Sequence, residues 1–356
     1  MFLNTAGFCF TKKKFDGRKK MITYNNLFER VCSFENLYNA YLKARRGKNG
    51  SGEVLKFTYN LESNLISLQK ELQNQTYKTG KYRRFIIFEP KRREIAALPF
   101  KDRVVHHAIC SVIEPVFEKT FIFDSYACRK KRGTHAGADR IQSFLRKHAK
   151  NCFVLKCDVK SYFPSVDHEI LKKELRKKIA DKKLLALLDC IVDSPSGEKG
   201  IPIGNLTSQL FANIFLNKLD YFAKQDLKAK HYARYMDDFV ILHESKKQLQ
   251  CRKKQVEQFL HSIKLRFNEK KANVFPVCKG IDFLGYRLFA FHRLIRKSTV
   301  KRFLRGIKAK IRKFIAGEIC FEKLLESFNS WEAYLWHGNS FALKKSIYRS
   351  CFKNVF

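Results

Sequence analysis

The sequence predicts an α+β fold, and three stretches carry that prediction. The runs 232–235 and 239–242 are short, apolar and β-prone, and they flank Met236, Asp237 and Asp238, so they read as a hairpin with an acidic turn. The run from Cys152 to Val159 is apolar up to Asp158 and reads as a buried strand that delivers a carboxylate at its end. After Phe291 the chain turns basic and helical, with Leu304, Ile307, Ile311 and Phe314 on one face of a helix over 301–315.

The remaining elements follow in chain order. Apolar spacing predicts helices over 34–45 and 59–73, separated by a loop at Gly47, Gly50 and Gly52. Beyond Asp158 a short loop leads to a helix over 169–180, with Ile170, Leu171, Leu175 and Ile179 on its inner face. Gly200 and Gly204 permit close backbone approach ahead of a further helix, which Asn205 or Thr207 can cap and whose apolar face is Leu210, Phe211, Ile214 and Phe222. The central sheet, within 150–290, is expected to carry its helices on one face. Ser330 to Asn339 groups with the last helices. The chain thus divides into a helical part (1–79), a central α+β part (80–292) and a C-terminal helical part (293–356), with no repeat and no low-complexity linker.

Lys and Arg number 72 against 33 Asp and Glu, a formal net charge of +39. Such a surface attracts polyanions with steep salt dependence, but does not separate RNA or DNA from an anionic membrane. No run approaches the roughly 18 apolar residues of a membrane span. Met1-Phe2-Leu3-Asn4 runs into Lys12, Lys13 and Lys14 without a signal-like apolar core, so a soluble cytoplasmic protein is expected. Eleven cysteines, none spaced Cys-x-x-Cys, argue against a disulfide framework or a zinc site; Cys110, Cys152, Cys157 and Cys190 read as small core residues.

Asp237 and Asp238 repel each other, and a divalent cation relieves that repulsion. Mg²⁺ suits such a site, because it takes oxygen ligands and shares its shell with substrate phosphates. Asp158 is the third carboxylate. Two metal ions about 4 Å apart on such a set can activate a hydroxyl and stabilise a leaving phosphate. Taken singly, an Asp-Asp pair reads as a turn and Asp158 as a helix cap or loop residue; their joint placement at strand ends favours a site.

The motifs, in this order, resemble those of reverse transcriptases, and among these the enzymes of diversity-generating retroelements. Beyond Asp158 and Tyr235-Met236-Asp237-Asp238, the resemblance rests on segments 88–95, 98–107, 126–135, 200–209, 268–272 and 280–286, and so covers most of the chain. Ile203-Gly204 stands where most reverse transcriptases read Gln-Gly, and Ser208-Gln209 where most read Ser-Pro; the form here is similar to the diversity-generating branch.

The resemblance implies an RNA-directed DNA polymerase with a right-hand fold of fingers, palm and helical thumb. It implies catalytic Asp158, Asp237, Asp238 and Lys271, and two Mg²⁺ ions (with Mn²⁺ able to substitute) at Asp158, Val159, Asp237 and Asp238. Lys91, Arg93, Phe163, Ile203, Gly204, Gln209, Tyr235 and Met236 would form the dNTP and template-primer pocket. Phe163 would lie beneath the sugar, where a phenyl ring excludes a 2′-hydroxyl; Phe163 as core filler in a chain with 33 phenylalanines is the competing reading. Lys91 and Arg93 would touch the triphosphate, and Lys271 would protonate pyrophosphate, although the usual threonine after it is Ala272. Ile203 offers no hydrogen bond to the nascent base pair, which implies lowered fidelity.

Implied partners are a template-repeat RNA with its primer-cDNA, dNTPs, and a small, basic, oligomeric accessory variability protein, in mutagenic retrohoming within a bacterium or phage. With about 65 residues after the palm, no RNase H, integrase or endonuclease domain of ordinary size is expected. A group II intron-like or phage-defence reverse transcriptase is the alternative enzyme. A non-catalytic RNA-binding scaffold is the alternative of another class.

Overall fold

The computed structural model describes residues 22–88, 91–147, 152–195 and 197–352. Lys12 to Lys14, and Glu89 and Pro90 of the 88–95 motif, lie outside the described residues.

Four helices open the described chain: α1 (Phe28–Cys32), α2 (Phe34–Arg45), α3 (Gly52–Tyr59) and α4 (Leu61–Gln73). α1, α2 and α3 pack on the long α5 (Phe100–Glu118) and α4 packs on them, and between α4 and α5 in the chain comes an exposed hairpin of β1 (Arg83–Ile87) and β2 (Arg93–Ala97). α2 has the expected bounds. The expected helix over 59–73 is instead broken at Asn60, whose backbone leaves the helical region (φ −115°, ψ 49°), and α3 begins at Gly52, inside the expected loop.

Next come α6 (Thr134–Lys147), β3 (Phe153–Asp158), α7 (Tyr162–Ser165), α8 (His168–Arg176), α9 (Lys182–Asp193) and α10 (Leu206–Tyr221). α8 starts where Asp167 Oδ1 accepts the Ile170 N–H at 3.1 Å, an N-cap bond. It ends four residues before the expected stop, because the chain turns there to bridge Ile179 to Tyr24, which keeps Ile179 buried. α10 is buried on nearly every side and runs into a π turn at Phe222–Asp226, so Phe222 stands beyond the helix rather than on its face.

β4 (His231–Tyr235), β5 (Asp238–His243) and, after α11 (Lys246–Ser262), β6 (Asn273–Pro276) complete a four-stranded antiparallel sheet of order β4-β5-β3-β6. Leu155, Cys157, Tyr232, Phe239 and Ile241 pack into one core with α5, α10 and α11, and that core is continuous with α1 to α4. Val154, Ala233, Val240 and Leu242 pack into a second core with Ile141 and Phe144 of α6. Helices therefore cover both faces, not one as expected. Central strands that are apolar on both sides need both sides covered.

β7 (Ile281–Phe283), β8 (Tyr286–Leu288) and β9 (Arg293–Ile295) form a small sheet that runs across position 292, and α12 (Lys297–Ile315), α13 (Phe321–Leu335) and α14 (Phe341–Phe352) follow. On α12, Ile307 and Ile311 are buried as expected, while Phe314 is exposed. Cys110, Cys152 and Cys157 are buried; Cys190 is exposed on α9, a correction to its reading as a core residue. Among the described residues, no helix is long and apolar enough to cross a membrane.

Candidate active site

The site is built at one end of the four-stranded sheet. Asp158 is the last residue of β3 and lies directly opposite Asp238, the first residue of β5, which in turn lies opposite Tyr235, the last of β4. Directly opposed residues share a face, so two carboxylates and a phenol line up on one side of the sheet. Asp238 was expected in the turn; the ladder places it in the strand, leaving a two-residue turn of Met236 and Asp237. Met236 takes a left-handed backbone (φ 54°). The Val159 N–H donates to the Asp237 carbonyl at 3.2 Å and ties the turn to the chain just past Asp158.

Both oxygens of Asp158 are engaged. Oδ2 accepts the Lys271 ammonium, and Oδ1 accepts the Asn268 side-chain amide at 3.1 Å, while the Asn268 main-chain N–H donates to the Asp158 carbonyl at 2.8 Å. Burial alone would lower the Lys271 pKa, but the Asp158 carboxylate outweighs it and holds the ammonium above its ordinary value. Burial, then the neighbouring Asp158 charge, pushes Asp237 up to about 6. Burial also raises Asp238, with Lys156 opposing and Asp158 adding. Lys156 Nζ stands 3.9 Å from Asp238 Oδ1, too far for a hydrogen bond, and that oxygen is buried with no hydrogen-bond partner.

This orphaned oxygen tests whether the site suits a cation. Asp158, Asp237 and Asp238 sit at one end of the sheet, Asp237 and Asp238 are held above their ordinary pKa despite the nearby lysines, and their donors are all oxygens, which fits a hard divalent ion. Among the described residues no three or more His, Cys, Asp or Glu side chains are grouped as a metal cage. The two oxygens of Asp158 hold Lys271 and Asn268, so a metal ligand role there would compete with the ammonium.

The loop after β3 and the loop before α10 are joined beside the acids. Ile201 N–H donates to the Phe163 carbonyl at 2.9 Å, and Phe163 is half-buried, edge-on to Tyr162. Ala96 N–H of β2 donates to the Ile203 carbonyl at 3.0 Å. Gly204, at φ 126°, lies so close to β2 that an added Cβ would meet Ile95 Cγ2 at 3.0 Å and the Ala96 carbonyl at 3.3 Å. The glycine is required for that approach. Neither expected cap forms: Asn205 holds the cap position without a capping bond, and the Thr207 hydroxyl instead pairs with His106 Nδ1 at 2.8 Å. Arg93 and Gln209 are exposed. Lys91, also exposed, lines a cleft of about 1040 Å³ between the β1–β2 hairpin and Arg296, Arg302 and Trp331 of the C-terminal lobe.

Asn268, Lys156, Arg234 and Asp220 stand at the site without having been assigned a role by the motifs. Asn268 lay in the 268–272 segment, and Lys156 and Arg234 left a signal as charges within apolar strands: Arg234, two positions from Tyr232, shares its inward face and demands a buried partner. That partner is Asp220 of α10.

A profile of the family described as reverse transcriptase (RNA-dependent DNA polymerase) matches residues 80–288, more than half of the chain. The chain belongs to the reverse transcriptase family, and its mixed helices and sheets are those of the right-hand polymerase fold. Protein YkfC of Escherichia coli (strain K12) is 28% identical over 252 residues, covering 59% of this chain and 65% of that protein. Group II intron-encoded protein LtrA of Lactococcus lactis subsp. cremoris is 24% identical over 315 residues, covering 68% and 51%. The chain thus spans about half to two-thirds of the length of these relatives. Among solved structures, a telomerase from Candida albicans in complex with a telomeric RNA fragment aligns with TM-score 0.46 and 14% identity over 82% of this chain and 59% of that one.

Proposed function

We propose that this protein is an RNA-directed DNA polymerase that makes error-prone cDNA from a template-repeat RNA for mutagenic retrohoming. The observation that carries the polymerase reading is the opposed pair Asp158 and Asp238 with Asp237 at the adjoining turn and Lys271 on Asp158. Divalent ions held by Asp158, Asp237 and Asp238, beside the Val159 main chain, would supply activation of a primer 3′-hydroxyl and neutralise charge on the departing pyrophosphate.

The chain's own residues do the rest. Lys271 holds a proton within reach of the same carboxylates and is the group to donate it to pyrophosphate. Phe163 blocks a 2′-hydroxyl, and Ile203 meets the nascent base pair with no hydrogen bond. Lys91 and Arg93 on the β1–β2 fingers hairpin reach the triphosphate, and α12 to α14 form the thumb. Residues 1–79 are a helical extension, 80–292 the fingers and palm, and 293–356 the thumb. Template RNA, primer-cDNA, dNTPs and an oligomeric basic accessory protein are the proposed partners. The Asp-rich site on so basic a chain argues against a mere RNA-binding scaffold.

Ile203 and Gln209 support the diversity-generating reading. The match to an intron-encoded protein favours a second one, an intron-like reverse transcriptase. Sequencing cDNA copied from a defined structured RNA separates the two. Errors clustered at template adenines, reduced in Ile203→Gln, are expected; accurate copying by the wild type would assign the protein to the other lineage.

A further inference from the structure

Arg234 and Asp220 are fully buried, and the guanidinium spends all five of its N–H donors. Nε and Nη2 donate to the two oxygens of Asp220 at 2.7 and 2.6 Å, and Nη2 also to Ser125 Oγ at 3.1 Å. Nη1 donates to Asn213 Oδ1 at 3.2 Å and to the Met236 carbonyl at 3.0 Å. Four of these five acceptors belong to α10 and the loop before α6. The fifth belongs to the acidic turn itself.

A buried ion pair is weak evidence for stability, since well-packed apolar residues serve as well or better. What the pair supplies here is a rigid planar fork aimed at one carbonyl. Met236 needs such a hold: its left-handed backbone is strained for a residue with a side chain, and strain of this kind persists only where the surroundings over-determine it. The next carbonyl, of Asp237, is held by the Val159 N–H. Both carbonyls of the two-residue turn are thereby pinned, one to α10 through Arg234 and one to the chain beside Asp158.

We infer that Arg234 is a positioning residue, anchored on Asp220, that fixes the Met236 turn so that the Asp237 carboxylate is presented to Asp158 in the geometry a divalent cation needs. This inference rests on the polymerase reading of the site. It places a determinant of the reaction in a side chain that touches neither nucleotide nor primer.

The test uses the full chain with Arg234→Lys, which keeps a charge for Asp220 but has no fork, and Arg234→Met with Asp220→Leu, which removes the pair without stranding a charge. Folding is followed by circular dichroism, Mn²⁺ affinity by electron paramagnetic resonance, and primer extension by separate kcat and KM for dNTP. Folded variants should lose roughly 10–100-fold in kcat and in Mn²⁺ affinity, with KM little changed. Adding Met236→Gly, which relieves the left-handed strain, should recover part of the kcat lost in Arg234→Lys. Wild-type kcat and Mn²⁺ affinity in folded variants would overturn the inference. If the wild type makes no cDNA, the polymerase reading falls and Mn²⁺ affinity alone decides. If neither variant folds, hydrogen exchange of the Arg234 guanidinium protons in the wild type decides: core-like protection supports a clamp on the Met236 carbonyl, and exchange at the rate of a free side chain overturns it.

Discussion

Asp158 and Asp238 face each other as directly paired residues of the β3–β5 ladder. Opposed like charges weaken a sheet, so nothing in the stability of the fold favours this arrangement. The proposed metal role accounts for the arrangement, and the energetics of the acids make it measurable.

Asp237 gives the first prediction. With chelator present its folded pKa of about 6 exceeds the ordinary 3.8, so between those values the folded state binds more protons than the unfolded state. Stability at this group is therefore full below pH 3.8 and is lost as pH rises through 6. Asp237→Asn removes the loss, which is on the order of 3 kcal/mol at pH 7. Urea midpoints at pH 4.5 and 7.5 in chelator should diverge less in the variant; equal pH dependence would contradict the stated burial and repulsion.

His106 acts with the opposite sign. Burial, with a smaller push from His107, lowers it to about 3, and its Nε2 is buried without a partner. Between 6.5 and 3 the unfolded state binds the extra proton, so stability falls on acidification, by on the order of 5 kcal/mol over the whole window. His106→Gln should flatten the urea-midpoint profile between pH 7 and 4. A profile as steep as that of the wild type would place the acid sensitivity elsewhere.

Gly204→Ala tests the junction of the β1–β2 hairpin with the loop before α10. A side chain at φ 126°, pressed on Ile95 and Ala96, should destabilise by on the order of 1–3 kcal/mol and loosen the Ala96–Ile203 bond. The expected signature is a lower melting temperature together with a raised KM for dNTP. An unchanged KM would detach this loop from the nucleotide.

Asp167→Ala removes the N-cap of α8 at Ile170 and should cost about 1 kcal/mol. The paired Lys264 is more than half exposed and adds little. Chemical denaturation measures the loss, and polymerisation per folded molecule should be untouched.

The acidic hairpin, the strand ending in Asp158, α2 and the basic α12 were legible because periodicity and turn chemistry act over a few neighbouring residues. The break at Asn60 was not, since a single backbone angle decides it within a helix-like pattern. Coverage of the second sheet face depended on α6 returning over β4 from far along the chain. At the site, the placement of Asp158 and Asp237 at strand ends was legible, while Lys271 was named only through the resemblance. The clamp of Arg234 on Met236 did not show, because its acceptors come from four separate places in the sequence, and a main-chain carbonyl leaves no trace in residue identity.

The most direct measurement is Mg²⁺-dependent extension of a primer on an RNA template by the wild type and by Asp237→Asn, with folding of both verified. The account predicts cDNA from the wild type and a loss of at least about 100-fold in the variant, as for removal of a group that stabilises the transition state. Extension by Asp237→Asn at the wild-type rate would contradict the assignment of the acidic turn as the catalytic centre.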